Sequence, residues 1–184
     1  MAAQLVRYRF TVAEYEQLVD TAVFAEDARI ELIDGEIVEM APIGDGHVSG
    51  LNLLVDDMYA QVREVAIVSV QNPIRLPPHG EPQPDIALIR RAAVRHGVPQ
   101  IEDILLVVEI ADSTIDTDRR VKLPMYAAAG IPEAWLVDMK ARVIERHTDP
   151  LDGSYRQVAA ARPGQALTST VLPQLTIRAS LIFD

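Results

Sequence analysis

From His47 to Arg63, apolar residues at Val48, Leu51, Leu54, Val55, Met58 and Val62 return every three or four positions. That spacing places them on one face of a helix lying on a core. Elsewhere the apolar residues come in short runs of strand length: Pro84 to Ile89, Ile104 to Ala111, and Ala134 to Asp138. Short apolar runs of this length suit strands. Thr11-Val12-Ala13-Glu14 is a capping-box pattern, so a short helix over Val12 to Val19 is predicted. Between Arg29 and Met40, two strand-like runs flank Asp34-Gly35, the strongest short hairpin signal. A two-residue turn makes Ile33 and Glu36 neighbours and leaves Glu31 on the face of Ile33.

Turn chemistry divides the rest. Pro42 to Gly46 is a loop, Val65 to Leu76 reads as a strand broken at Pro73, and Pro77 to Pro82 is a turn-rich connection. That connection predicts antiparallel pairing between the strand before it and the strand at Pro84. Ser113 or Thr114 caps a helix predicted over Ile115 to Ala129, stopped by Gly130. Pro124 inside it forces either a kink or a later start. Met139-Lys140-Ala141 turns into a strand from Arg142 to Thr148, Asp149 to Gly153 is another turn, and Tyr155 to Ala160 is a meander strand. Short apolar pieces follow at Leu167 to Val171 and Leu175 to Phe183. The order of elements predicts an α/β (α+β) fold, a mixed central sheet flanked by helices, as one domain over residues 1–184.

Composition narrows the classes. At 184 residues and 49% apolar, the chain can bury a real core. No apolar run approaches the roughly 20 residues of a membrane span, and Met1 to Phe10 has two arginines without a hydrophobic region or cleavage site after them. A cytoplasmic protein is expected. There is no cysteine, which removes disulfides and thiolate chemistry. Net charge of −10 argues against a nucleic-acid coat protein, although a local basic strip can serve a substrate on an acidic surface. Arg90, Arg91 and Arg95 follow the Pro84 strand, and Arg119 and Arg120 precede Lys122. His79, His96 and His147 have no second ligand at metal spacing, and the chain has no phosphate-binding glycine loop and no nucleophile elbow.

The chemistry lies in two acids. Asp85 and Glu109 each sit in an apolar strand-like run, where an ionised carboxylate is costly unless something offsets its desolvation. Mg²⁺ or Mn²⁺ is the usual compensation, since hard cations take carboxylates and water beside a phosphate substrate. Lys122 follows on the next helix, with Tyr126 four residues on and on the same face.

Pro84-Asp85 followed by Glu109 resembles the PD-(D/E)xK nuclease signature, with Ala111 where that signature has its lysine. The phrases Glu31-Leu32-Ile33-Asp34-Gly35-Glu36, Val107-Val108-Glu109-Ile110, Lys122-Leu123-Pro124-Met125-Tyr126 and Gly130 to Asp138 are similar, in this order, to the Uma2 family of restriction-endonuclease-like proteins. The resemblance spans nearly the whole chain. It implies a restriction-endonuclease-like core and a lysine moved from strand to helix, matched by Lys122. Metal-assisted hydrolysis of a DNA phosphodiester would then use Asp85, Glu109 and the Ile110 carbonyl as metal ligands, Glu31 as a further acid, and Lys122 beside the attacking water. His47, Arg119, Arg120 and Tyr126 are the expected substrate contacts, and a homodimer is the expected assembly. Two rivals stand beside this reading: a non-catalytic nuclease-fold module that binds nucleic acid or a protein partner, which Ala111 favours, and a metal-stabilised dimer without nucleic acid.

Overall fold

A computed structural model describes residues 6–184 except 22, 26, 43 and 93–97, so Arg95 and His96 lie outside the described residues. Its centre is a six-stranded sheet in the order β3 (Ala66–Val70), β4 (Ile86–Arg90), β5 (Ile104–Ala111), β6 (Glu133–Asp138), β7 (Val143–Leu151), β8 (Ser154–Ala161). Every neighbouring pair is antiparallel except β5 and β6. A parallel pair needs a crossover. Here the crossover is helical: α3 (Ile115–Thr117), a π-helical turn over Asp118–Lys122, and α4 (Leu123–Ala128).

Alternation along β4 and β5 sorts their side chains between two cores. Ile86, Leu88, Leu106, Val108 and Ile110 pack with α2 (Asp45–Val62) and the C-terminal elements. Ala87, Ile89, Val107 and Ala111 face the crossover with Tyr126. Asp85 and Glu109 share the parity of this second set, so both acids are turned towards the crossover helix. One step beyond the last registered pair, Ile86 with Val108, Asp85 comes opposite Glu109. Trp135 anchors the other core, fully buried, with Nε1 donating to Glu133 at 2.6 Å.

The hairpin of β1 (Ile30–Ile33) and β2 (Glu36–Glu39) forms as the Asp-Gly turn predicts, and α1 (Val12–Asp20) begins with a complete capping box between Thr11 and Glu14. This hairpin docks on the loop that leads to Asp85: Glu81 N–H donates to the Leu32 carbonyl at 2.8 Å, and Leu32 N–H returns the bond at 3.2 Å.

Two expectations need correction. The strand predicted over Val65 to Leu76 ends at Val70, because the following segment bonds to its own loop through Ile74 N–H to Pro82 O and Leu76 N–H to Gly80 O. The turn predicted over Asp149 to Gly153 is confined to Asp152 and Gly153, both at positive φ, while β7 runs on through Pro150, which pairs with Tyr155. Cross-strand pairing outweighs the local turn preference of Asp-Pro. The C-terminal apolar pieces form a second hairpin, β9 (Ala166–Thr168) with β10 (Thr176–Arg178), and a short α5 (Ser180–Phe183).

Candidate active site

Pro124 explains the shape of the crossover. It has no N–H to give to the helix, so the regular ladder fails there, and the chain takes up an i→i+5 turn in which Leu123 N–H donates to Asp118 O. Over eight residues a regular α-helix turns about 80° out of line, and one extra residue in the bulge reduces this to about 20°. Asp118, Lys122 and Tyr126 therefore share one buried line, while Arg119, Arg120 and Val121 are exposed. Pro124 stands in the first turn of α4, where a proline is tolerated.

These side chains meet the sheet acids in a cleft of about 600 Å³. Lys122 Nζ lies 3.2 Å from Glu31 Oε2 and 3.4 Å from Glu109 Oε1, with all three side chains less than 10% exposed. Glu31 is held by the loop before β4, through Gln83 N–H at 3.1 Å. Tyr126 O–H donates to Glu109 Oε1 at 2.5 Å. Asp85 Oδ2 accepts from Ile110 N–H at 2.7 Å, which locks the end of β4 to β5. His47, in the first turn of α2, donates from Nδ1 to the Ile110 carbonyl, 2.9 Å away. Its Nε2 stands 2.9 Å from Asp85 Oδ1, out of line for a hydrogen bond.

Sequence reading did not find Asp118. It is buried, accepts from Thr114 O–H at 2.6 Å, and lines the same cleft. Its one signal in the sequence was the bulge that Pro124 imposes.

Four buried acids, Glu31, Asp85, Glu109 and Asp118, thus face one lysine and one histidine. Burial is the main reason the Glu109 pKa is pushed up to about 8; Lys122 opposes the rise, and Asp85 and Asp118 add to it. Burial also raises Asp118. Burial works against the Lys122 ammonium, but Glu109, Glu31 and Asp118 outweigh it, and Lys122 stays charged. Contact with Asp85 raises the His47 imidazole against the cost of burial.

Divalent metal fits this donor set. Carboxylate and carbonyl oxygens are the ligands Mg²⁺ and Mn²⁺ prefer, and negative charge exceeds positive. Among the described residues no group of three or more His, Asp or Glu side chains is placed to hold a metal ion.

The expected substrate contacts separate. His47 is in the cleft, bonded to the Ile110 carbonyl and close to Asp85. Tyr126 is fully buried and its O–H donates to Glu109. Arg119 is drawn away to Glu145 at 2.7 Å, and Arg120 lines a neighbouring groove. Arg91 bonds to the Arg63 carbonyl, and Arg90 Nε to the Glu102 carbonyl at 3.3 Å.

Among the described residues no helix is long and apolar enough to cross a membrane. No curated protein matches the chain. The crystal structure of a "putative nuclease belonging to DUF820" from Anabaena variabilis ATCC 29413 is similar in fold, with a TM-score of 0.73 at 14% identity, over 95% of this chain and 97% of that one. The Uma2 profile, described as "Putative restriction endonuclease", matches residues 12–180, and the chain belongs to that family.

Proposed function

We propose that the protein is a metal-dependent endonuclease that hydrolyses DNA phosphodiester bonds. The observation that carries this reading is the position of Lys122, whose ammonium lies between Glu31 and Glu109 at 3.2 and 3.4 Å, in the cleft that Asp85 also lines. Ala111, at the strand position of the nuclease signature, is buried in the core, so the helix supplies the cation that the strand lacks.

Asp85, Glu109 and the Ile110 carbonyl would hold Mg²⁺ or Mn²⁺. When bound, the cation neutralises phosphate charge and lowers the pKa of water. Lys122 offers a compact ammonium; with two of its three donors turned to Glu31 and Glu109, the third can hold an attacking water or a phosphate oxygen. Glu31 fixes Lys122 from the hairpin side, and Tyr126 fixes Glu109 from the helix side. His47 holds Asp85 in place relative to the Ile110 carbonyl. Hydrolysis then needs no covalent enzyme intermediate.

Conversion of supercoiled plasmid by purified protein in Mg²⁺ or Mn²⁺ tests the proposal. Expected are nicked or linear products that disappear with EDTA, with Lys122→Met and with Glu109→Gln. Binding without cleavage would favour the non-catalytic nuclease-fold module instead.

A further inference from the structure

On the proposed reading the cleft would take a metal and one phosphate, but its lining repels the rest of a polyanion. Glu31, Asp34, Glu36, Glu39, Asp85, Glu109, Asp112 and Asp118 line it, against Arg29, Lys122 and His47. A strand crossing such a surface needs a route that is not negative. A second groove of about 650 Å³ opens directly beside the cleft and shares Asp34 and Val121 with it. Its charge is opposite. Asp34 is its one acid, already paired with Arg9, and Arg120 adds a second guanidinium. The Arg120 side chain is 80% exposed and its ion pair, with the equally exposed Asp116, is loose at 3.7 Å. Such a pair contributes little and leaves the guanidinium free to meet an anion. Pro78, Pro124 and Met125 supply an apolar floor between the arginines.

We infer that this groove, between the Pro77–Gly80 loop and α4, carries the nucleic-acid strand on one side of the scissile phosphate. Arg120 meets a backbone phosphate, and the proline and methionine surface carries a sugar or base without reading its identity. This rests on the nuclease reading of the neighbouring cleft. It gives the site a direction: the strand leaves over Val121, where charge and shape allow it, and the other rim of the cleft stays acidic. The π turn then has two products, since the rotation that buries Asp118 and Lys122 also turns Arg119 to Glu145 and Arg120 to the groove.

The test is fluorescence anisotropy with a short fluorescein-labelled single-stranded DNA and Mg²⁺, in a Lys122→Met background so that the probe is not cut. Arg120→Ala is expected to weaken binding about fivefold. It should also lower the slope of log K against log salt by about 0.7, one phosphate contact on a single strand. Arg120→Glu should weaken binding further. Arg178→Ala, an exposed arginine of β10 that lines neither groove, should leave both quantities unchanged. Unchanged affinity and slope in both Arg120 variants would overturn the inference and leave the nuclease reading standing. Absence of binding in the Lys122→Met parent would also overturn it, and plasmid cleavage by the unaltered protein would then decide whether the nuclease reading survives.

Discussion

Replacing Lys122 with methionine keeps the length of the side chain and removes the one lysine among four buried acids. At 3.2 and 3.4 Å, with an effective dielectric near 20, each ion pair is worth about 5 kcal/mol of Coulomb energy. Desolvation of the ammonium removes several kcal/mol of the total, and losing one member of a buried pair costs about 3–5 kcal/mol in practice. Protonation relieves part of that cost, because the Glu109 pKa is already about 8. The sign follows from linkage. A carboxyl raised in the folded state contributes stability that is fully present below its unfolded value and is lost as pH rises through about 8. Lys122 holds Glu109 down, so without it the rise is larger and the loss at alkaline pH deeper. Metal-free Lys122→Met should therefore be less stable than the parent by about 2–4 kcal/mol near pH 9, roughly 5–15 °C in Tm for a chain of this size, and by about 1 kcal/mol near pH 5. Thermal and urea melts in EDTA measure this. A deficit that is the same at both pH values, or larger in acid, would refute the coupling between Lys122 and Glu109.

Tyr126→Phe leaves the ring in its core and deletes the O–H that Glu109 accepts, so a loss of about 1.5–3 kcal/mol is expected in urea melts, with a lower cleavage rate. Pro124→Ala restores a backbone donor; the π turn should relax to α-helix and swing Lys122 out of line, so plasmid cleavage falls, and full activity would contradict the role given to the bulge. Glu81 is raised to about 7, first by burial and then by Glu16, so its stabilising contribution is present below about 4.5 and lost as pH rises through 7. Because the group is half screened by solvent, Glu81→Gln should gain only about 1–2 kcal/mol above pH 7 and nothing in acid, as read from denaturant midpoints.

Local signals in the sequence were dependable where one short contact decides the outcome. The Thr11 to Glu14 box and the Asp34-Gly35 turn form as read, since each is closed by hydrogen bonds a few residues apart. Asp85 and Glu109 were legible because a carboxylate in a run of strand residues is conspicuous, and their convergence follows from β4–β5 register. Glu31 was legible through the resemblance alone, because the bonds that bring it to Lys122 come from the loop at Glu81 and Gln83, about fifty residues away in the chain. Asp118 was not legible, nor were the directions that Arg119 and Arg120 take. Their directions depend on helix rotation, and a regular helix through Pro124 would have given a different set of inward residues. Tyr126 was placed on the face of Lys122, but its burial against Glu109 was not legible, since depth below the surface cannot be read from helical spacing.

The metal site is the central claim, and a crystal soaked in Mn²⁺ tests it most directly. Anomalous density is expected between Asp85 and Glu109, about 2.0–2.3 Å from a carboxylate oxygen of each, with the Ile110 carbonyl in reach. Density that is absent there, or that lies elsewhere while the same protein still cleaves plasmid in Mn²⁺, would contradict the account.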